Sequence, residues 1–172
     1  GKNYATYAYD EDVVVARFDG DDPCPLVKVE DGLFVLELWH GPTYAFKDMA
    51  LTLLPYLMVA SKKKLGDGSR TLILVATSGD TGKAALEGFR DVEGTEIIVF
   101  YPEGGVSAMQ KRQMVTQQGA NVHVAGIRGN FDDAQTAVKS VFTDPEVIEK
   151  LKAHGIEMSS ANSINWGRLV PQ

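Results

Sequence analysis

Cysteine, long apolar runs and an excess of basic residues are all lacking from this sequence. Cys24 is the only cysteine among 172 residues, which excludes a disulfide within the chain and is typical of a reducing compartment. No apolar stretch is long enough to span a bilayer, and the first residues lack the apolar core of a signal peptide. The net charge of −6 argues against nucleic-acid binding, which usually requires a basic surface. We therefore predict a cytoplasmic protein with no nucleic-acid or membrane partner.

A regular alternation of strand and helix patterns begins at residue 71. The predicted strands are TLILVA, EIIVFY, NVHVAG and IEMSS. The predicted helices between them are TGKAALEGF, SAMQKRQMVTQQG, which would end at Gly119, and NFDDAQTAVKSVF. Because the strands are nearly continuous apolar runs, they are typical of a parallel sheet covered on both faces. Residues 71–160 are therefore predicted to form a small, doubly wound α/β domain.

Residues 1–65 have a different pattern and are expected to belong to another domain. Two strands are predicted, Val13 to Phe18 and Leu33 to Trp39, with a turn-rich segment between them. Residues 46 to about 62 follow a helical period, which Pro55 should kink or break.

The loop between the first strand and helix of the α/β domain, within ATSGDTGKAAL, is a candidate anion site. It places residues 77–81 at the carboxyl end of a strand, where ligands bind in open α/β sheets. Gly79 and Gly82 allow close approach of the backbone, and the hydroxyls and N–H groups could cradle an anion. Its glycine spacing does not match a Walker A loop. Spacing alone favours a simpler interpretation, a tight turn in which Asp80 or Thr81 caps the helix.

Helix capping accounts for the polar residues in the next two loops. Ser107 and Gln110 fit a capping box, and Asp132 and Asp133 complement the dipole of a first helical turn. The histidines have no metal-ligand spacing, and no nucleophilic triad is recognisable. We predict no metal site.

Lys47, in HGPTYAFKDMAL, is a candidate reactive lysine. The simplest interpretation is a lysine on a helix flank whose stem covers apolar surface. Two features argue against it. A cation in the first turn opposes the helix dipole, and the neighbouring apolar residues predict partial burial. Partly buried lysines are suited to Schiff-base chemistry, although these features identify no cofactor.

Several segments resemble the threonine synthase family in the same order along the chain. HGPTYAFKDMAL resembles that family's pyridoxal-phosphate lysine segment, H-G-P-T-x-A-F-K-D, and ATSGDTGKAAL resembles its loop beside the cofactor. YPEGGVSAMQKRQM, GNFDDAQ and SSANSINWGRLVPQ match further segments, so the resemblance spans at least residues 33–172.

The resemblance implies a fold of the tryptophan-synthase β-subunit type, with the cofactor between two α/β domains. Residues 1–65 would be part of the larger domain, residues 71–160 the small domain, and residues 161–172 the start of the return to the larger one. The implied reaction converts O-phospho-L-homoserine and water to L-threonine and phosphate. Lys47 would hold pyridoxal phosphate as a Schiff base and shuttle protons, and Asp48 would orient it.

The resemblance also implies which residues bind the substrate. Five residues of the loop would bind its carboxylate: Thr77, Ser78, Gly79, Asp80 and Thr81. Four others are candidates for its phosphate: Lys111, Asn162, Ser163 and Arg168.

The family's chains are much longer, and their cofactor-phosphate loop follows the segment that ends here at Gln172. The 172 residues are therefore expected to be an internal piece of a threonine synthase, inactive without the remainder of the chain. Residues 1–65 should then expose an apolar face that is prone to self-association.

Two alternatives to a threonine synthase stay open. The chain could be a non-catalytic α/β module whose 77–81 loop binds small anions. It could also be a related lyase, such as a threonine or serine dehydratase, although those carry an S-G-N-type loop where this chain has SGD.

Overall fold

A computed structural model describes residues 17–165 and residue 168, which contain a four-stranded parallel sheet and a separate antiparallel hairpin. The hairpin consists of β1 (Leu26–Glu30) and β2 (Leu33–Leu36). The following elements, in chain order, are α1 (Asp48–Leu51), α2 (Leu54–Leu65), β3 (Arg70–Ala76), α3 (Asp80–Phe89), β4 (Thr95–Pro102), α4 (Ala108–Val115), β5 (Val122–Ile127), α5 (Phe131–Thr143), α6 (Pro145–Ala153) and β6 (Ile156–Ser159).

The order of strands in the larger sheet is β5-β4-β3-β6, and all of its pairs are parallel. The side chains of β3 and β4 are buried or half-buried on both faces, apart from Arg70 at the start of β3. α3 packs against β4, α5 packs against β3 and β4, and α6 packs against β6. The predicted α/β fold with a parallel sheet is confirmed.

One apolar core joins the sheet to the helices around it. It includes Ala50 and Leu51 from α1, so the segment that carries Lys47 is anchored in the same core as β3 and β4. Its other buried members are Ile73, Val75, Ala84, Ala85, Leu86, Phe89, Ile97, Val99, Tyr101 and Met114.

Gly88 allows α3 and α1 to come into backbone contact. A Cβ atom at this position would lie 2.0 Å from the carbonyl oxygen of Leu51. Because only glycine fits there, the close approach of the two helices depends on this residue.

The predicted helix at residues 46–62 is two helices, because the chain is interrupted before Pro55. Pro55 lies in the first turn of α2, where its missing N–H is tolerated. α2 ends at Leu65 and is followed by Gly66, whose φ of 70° places it in the left-handed region typical of helix ends. The predicted break at Pro55 is confirmed.

Several predicted boundaries were wrong. The segment predicted to be turn-rich contains a strand that was not predicted, β1, whose short run lies between turn signals, and β2 ends at Leu36 rather than Trp39. α4 ends at Val115 rather than Gly119; Thr116 is its C-cap residue, and the Thr116 hydroxyl donates to the Arg112 carbonyl at 2.7 Å. α6 was not predicted; the Asp144 carboxylate, which accepts from the backbone of Glu146, caps it.

The predicted strand Val13 to Phe18 lies mostly outside the described residues, and its last two members, Arg17 and Phe18, are not in a strand. The division into residues 1–65, 71–160 and 161–172 stays a prediction.

The hairpin leaves apolar side chains in solvent, as expected for residues 1–65. Every residue of β1 and β2 is exposed, with Leu26 at 64% and Phe34 at 52%. Among the helices that the structure describes, none has the length and apolarity needed to cross a membrane.

Candidate active site

The loop before Lys47 is held in shape by the carboxylate of Asp48. Asp48 is 1% exposed. Its Oδ2 accepts from the backbone N–H of Thr43 at 2.8 Å, and its Oδ1 accepts from the Thr43 hydroxyl at 2.6 Å. A Cβ at Gly41 would lie 2.5 Å from Oδ2, so glycine is required for the carboxylate to occupy this place. The loop therefore closes on itself around one buried anion.

Burial raises the pKa of the Asp48 carboxyl above its usual value, since desolvation disfavours the charged form. The two hydrogen bonds from Thr43 oppose this shift in pKa, and the nearby charge of Glu87 adds to it. The carboxylate is thus held by donors of its own loop at an electrostatic cost.

Lys47 occupies the N-cap position of α1 and is half-buried, as predicted. Its Nζ lies 4.2 Å from the centre of the Phe46 ring, and within the described part of the chain it makes no hydrogen bond or ion pair. Both carboxylate oxygens of Asp48 accept hydrogen bonds from Thr43. Any influence of Asp48 on the Lys47 amine therefore passes through the backbone.

Arg168 lies on the same aromatic ring as Lys47. Its guanidinium carbon is 4.6 Å from the centre of the Phe46 ring, and its backbone N–H donates to Asn165. Two cations therefore share one ring beside the cleft described below.

The loop at residues 77–81 is organised by Thr77. This residue is 2% exposed, and its hydroxyl oxygen accepts from the N–H groups of Gly79 at 3.0 Å and Gly82 at 2.9 Å. The N-cap residue of α3 is Gly79, with no side-chain cap of its own. The prediction that Asp80 or Thr81 caps α3 was wrong, because Gly79 is the N-cap residue and the Thr77 hydroxyl accepts from the N–H of Gly82 in the first turn.

The remaining residues of this loop lie nearer to solvent. Ser78 and Asp80 are exposed and Thr81 is half-buried. Asp80 lines a cleft of about 430 Å³ whose opposite wall comes from the lysine loop and the end of the hairpin. The lining residues are Leu36, Leu38, Trp39, Thr43, Tyr44, Ala45, Phe46 and Asp80. The fold thus brings together the two motifs that the sequence singled out.

Lys111 and Asn162, two of the other predicted phosphate ligands, have partners of their own. The Nζ of Lys111 lies 5.8 Å from the ring centre of Tyr101. Asn162 stabilises a turn, since its Oδ1 accepts from the N–H of Ile164, and Ser163 is half-buried in the same segment. Lys111, Asn162 and Ser163 are not among the residues that line the cleft. Their roles therefore stay predictions.

The predicted capping box of Ser107 and Gln110 is present at α4. Asp132 and Asp133 lie in the first turn of α5, as predicted, and Asp133 also forms a capping box with Asn130 that was not predicted.

Sequence reasoning missed a charged cluster on α3. Glu87 is 8% exposed, and it pairs with Lys83 at 3.7 Å and with Arg90 at 3.2 Å. Burial lowers the pKa of Lys83, while the charge of Glu87 opposes this shift. The side chain of Gln117 bonds to both Lys83 and Glu87. The four-residue spacing of Lys83 and Glu87 was the available signal.

Comparisons with known proteins identify the family of this chain. A sequence model of the family described as "Pyridoxal-phosphate dependent enzyme" matches residues 19–165. Threonine synthase from Pseudomonas aeruginosa is 44% identical over 157 residues, which cover 90% of this chain and 32% of that protein. Threonine synthase-like 1 from Homo sapiens is 42% identical over 154 residues, covering 86% of this chain and 20% of that protein.

A solved structure gives the same result. The crystal structure of pyridoxal-phosphate-bound threonine synthase from Brucella melitensis aligns with a TM-score of 0.81 and 40% identity, over 99% of this chain and 39% of that one. The chain therefore spans less than half the length of each of these relatives. The resemblance to threonine synthases is confirmed, and the chain belongs to the pyridoxal-phosphate-dependent enzyme family.

Proposed function

We propose that these residues are part of a threonine synthase, which converts O-phospho-L-homoserine and water to L-threonine and phosphate with pyridoxal phosphate held on Lys47. The observation that carries this proposal is the half-buried Lys47 beside a cleft, on a loop locked by Asp48 and Thr43. The 40–44% identity to threonine synthases supports the same substrate.

The residues at the cleft fit the cofactor. The amine of Lys47 is not committed to an ion pair with any described residue, and the apolar wall formed by Trp39, Ala45 and Phe46 suits a flat aromatic ring. When bound, pyridoxal phosphate supplies an electron sink for the negative charge that develops on the substrate carbon next to the amine.

The chain's own residues would hold the cofactor and the substrate and move protons. Lys47 would hold the cofactor through its amine and then carry protons at the substrate carbons. Asp48 would keep the lysine loop rigid through Thr43. Ser78 and Thr81, at the N-terminus of α3, would bind the substrate carboxylate with their hydroxyls, and Thr77 would shape the loop from inside.

The phosphate of the substrate would be bound by cations near the lysine. Arg168 is the strongest candidate, because its guanidinium already lies on the ring that Lys47 covers and matches phosphate geometry. Lys111, Asn162 and Ser163 would complete this part of the site.

Catalysis would be a property of the whole, longer protein. Activity would require the remainder of the longer chain, so the 172 residues alone would form no threonine. The single cysteine supports a cytoplasmic location.

Labelling of lysines tests the cofactor site directly. The 172-residue chain would be incubated with pyridoxal phosphate, reduced with borohydride and digested for peptide mapping. We expect preferential label on Lys47 over the exposed Lys63 and Lys64. Equal label on all three would contradict the assignment of Lys47.

Activity tests the reaction in the full-length protein. We expect threonine and phosphate from O-phospho-L-homoserine, and loss of both with Lys47→Ala. Binding without turnover would favour a non-catalytic module, and release of a keto acid would favour a dehydratase.

A further inference from the structure

Gln110 connects two loops that follow neighbouring strands of the sheet. Its Nε2 donates to Asp80 Oδ1 at 2.8 Å, and its Oε1 accepts from the N–H of Ser107 at 3.1 Å. Asp80 begins α3, directly after the loop that follows β3, and Ser107 ends the loop after β4; these two strands pair directly. One side-chain amide therefore joins two neighbouring segments at the carboxyl edge of the sheet.

Gly79 makes room for this amide. A Cβ at Gly79 would lie 2.3 Å from Nε2 of Gln110 and 2.7 Å from its Oε1. The N–H of Gly79 is itself bound by the Thr77 hydroxyl at 3.0 Å. The backbone before Asp80 is thus fixed by Thr77 from inside and covered by Gln110 from outside.

The orientation of Asp80 matters because its carboxylate faces a site that is proposed to bind another carboxylate. Asp80 is the first residue of α3 and lines the cleft. A carboxylate free to turn toward the N-terminus of its own helix would compete with an anionic substrate for the same positive end of the dipole.

We propose that Gln110 is a positioning residue for the cleft: its amide holds the Asp80 carboxylate in one orientation and leaves the N-terminus of α3 available to the substrate carboxylate. The identity of the substrate rests on the proposed function. The contact between Gln110 and Asp80 does not.

Two variants separate this role from simple helix capping. Gln110→Glu keeps an acceptor for the N–H of Ser107, as capping boxes do, but it places a carboxylate against Asp80. Ser107→Ala removes the hydroxyl that accepts from the N–H of Gln110 at 3.2 Å and leaves the contact with Asp80 in place.

Hydrogen exchange on the 172-residue chain tests the contact without cofactor or substrate. We expect the Gly79 amide to exchange about tenfold faster in Gln110→Glu, because a charge-assisted hydrogen bond is replaced by repulsion. Ser107→Ala should change that rate less than about twofold. The double variant Asp80→Asn with Gln110→Glu exchanges amide and carboxylate, so it should restore protection of Gly79. An unchanged rate in Gln110→Glu, an equal change in Ser107→Ala, or no restoration would overturn the proposal.

Kinetics of the full-length protein test the effect on the substrate. We expect Gln110→Glu to raise the KM for O-phospho-L-homoserine about tenfold with kcat nearly unchanged, as for the loss of an interaction worth about 1.4 kcal/mol in binding alone. Ser107→Ala should change neither constant. A decrease in kcat with an unchanged KM in Gln110→Glu would overturn the positioning role. Absence of threonine formation in the unsubstituted protein would instead overturn the proposed function, and the exchange result would stand by itself.

Discussion

Asp48 is a buried carboxylate held by donors of its own loop. The N–H and hydroxyl of Thr43 donate to it, the backbone of Ala45 helps to lower its pKa, and Gly41 leaves the space that the carboxylate fills. At the scale of single residues, the shape of the lysine loop therefore depends on the residue after Lys47 more than on Lys47 itself.

Asp48→Ala should destabilise the fold strongly. The substitution leaves the N–H and hydroxyl of Thr43 without their acceptor in a buried place, which should cost about 3 kcal/mol. Urea unfolding of the chain measures this change. Asp132→Ala, at an exposed first-turn position, is the matched control and should cost about 1 kcal/mol or less. Equal losses in the two variants would show that the Thr43 contacts contribute little.

The raised pKa of Asp48 predicts a specific pH dependence of stability. Because its folded pKa lies above its ordinary value of 3.8, the folded state binds the proton more tightly than the unfolded chain. The contribution of Asp48 to the free energy of unfolding is therefore fully present below pH 3.8, and it is lost as the pH rises through the pKa of the folded state. Unfolding free energies measured from pH 3.5 upward should show this fall in the parent chain and not in Asp48→Asn. Parallel pH profiles would contradict the prediction.

At the scale of elements, the contact between α1 and α3 fixes where the lysine loop meets the sheet. The two helices approach most closely at Gly88, where a Cβ atom would collide with the carbonyl oxygen of Leu51. A methyl group there must separate the two helices or distort one of them.

Gly88→Ala should therefore destabilise the chain by about 1–3 kcal/mol, the usual cost of overpacking. Gly104→Ala is the control, because a Cβ at Gly104 has no neighbour within 4 Å and its φ is not in the left-handed region. It should be neutral within about 0.5 kcal/mol. Thermal unfolding of both variants gives the comparison, and equal melting temperatures would contradict the role of Gly88.

The sequence predicted the elements whose signal is local. TLILVA was predicted as a strand and lies within Arg70–Ala76, because a continuous apolar run needs no knowledge of its neighbours. β1 was missed because its apolar residues remain exposed and turn signals flank it. In the same way, Lys47 was found from its motif, whereas the contact of Gln110 with Asp80 depends on how two distant loops meet.

At the scale of the whole molecule, the hairpin is an apolar surface without a covering layer in the described residues. Leu26 and Phe34 lie on one face of it, since Leu26 pairs with Leu36 two positions along from Phe34. Surfaces of this kind favour association.

We expect the chain to associate as its concentration rises in sizing experiments. Leu26→Thr together with Phe34→Thr should reduce this association, because threonine keeps the strand preference and removes apolar area. Leu65→Ser changes an exposed leucine at the far end of α2 and is the control. A monomer at all concentrations would contradict the prediction.

The position of β6 in the sheet has a consequence for the order of folding. β3 pairs on one side with β4, where Thr71 meets Thr95, and on the other with β6, where Arg70 meets Ile156. The second pairing closes a much longer loop, so its entropic cost is larger and it should form late.

Met158→Ala in β6 should then speed unfolding and leave the refolding rate nearly unchanged, whereas Val99→Ala in β4 should slow refolding. Stopped-flow kinetics would show the difference, and slower refolding in Met158→Ala would contradict it. Until β6 arrives, one edge of β3 stays open, so the newly made chain carries an unpaired strand edge until the residues of β6 have been synthesised.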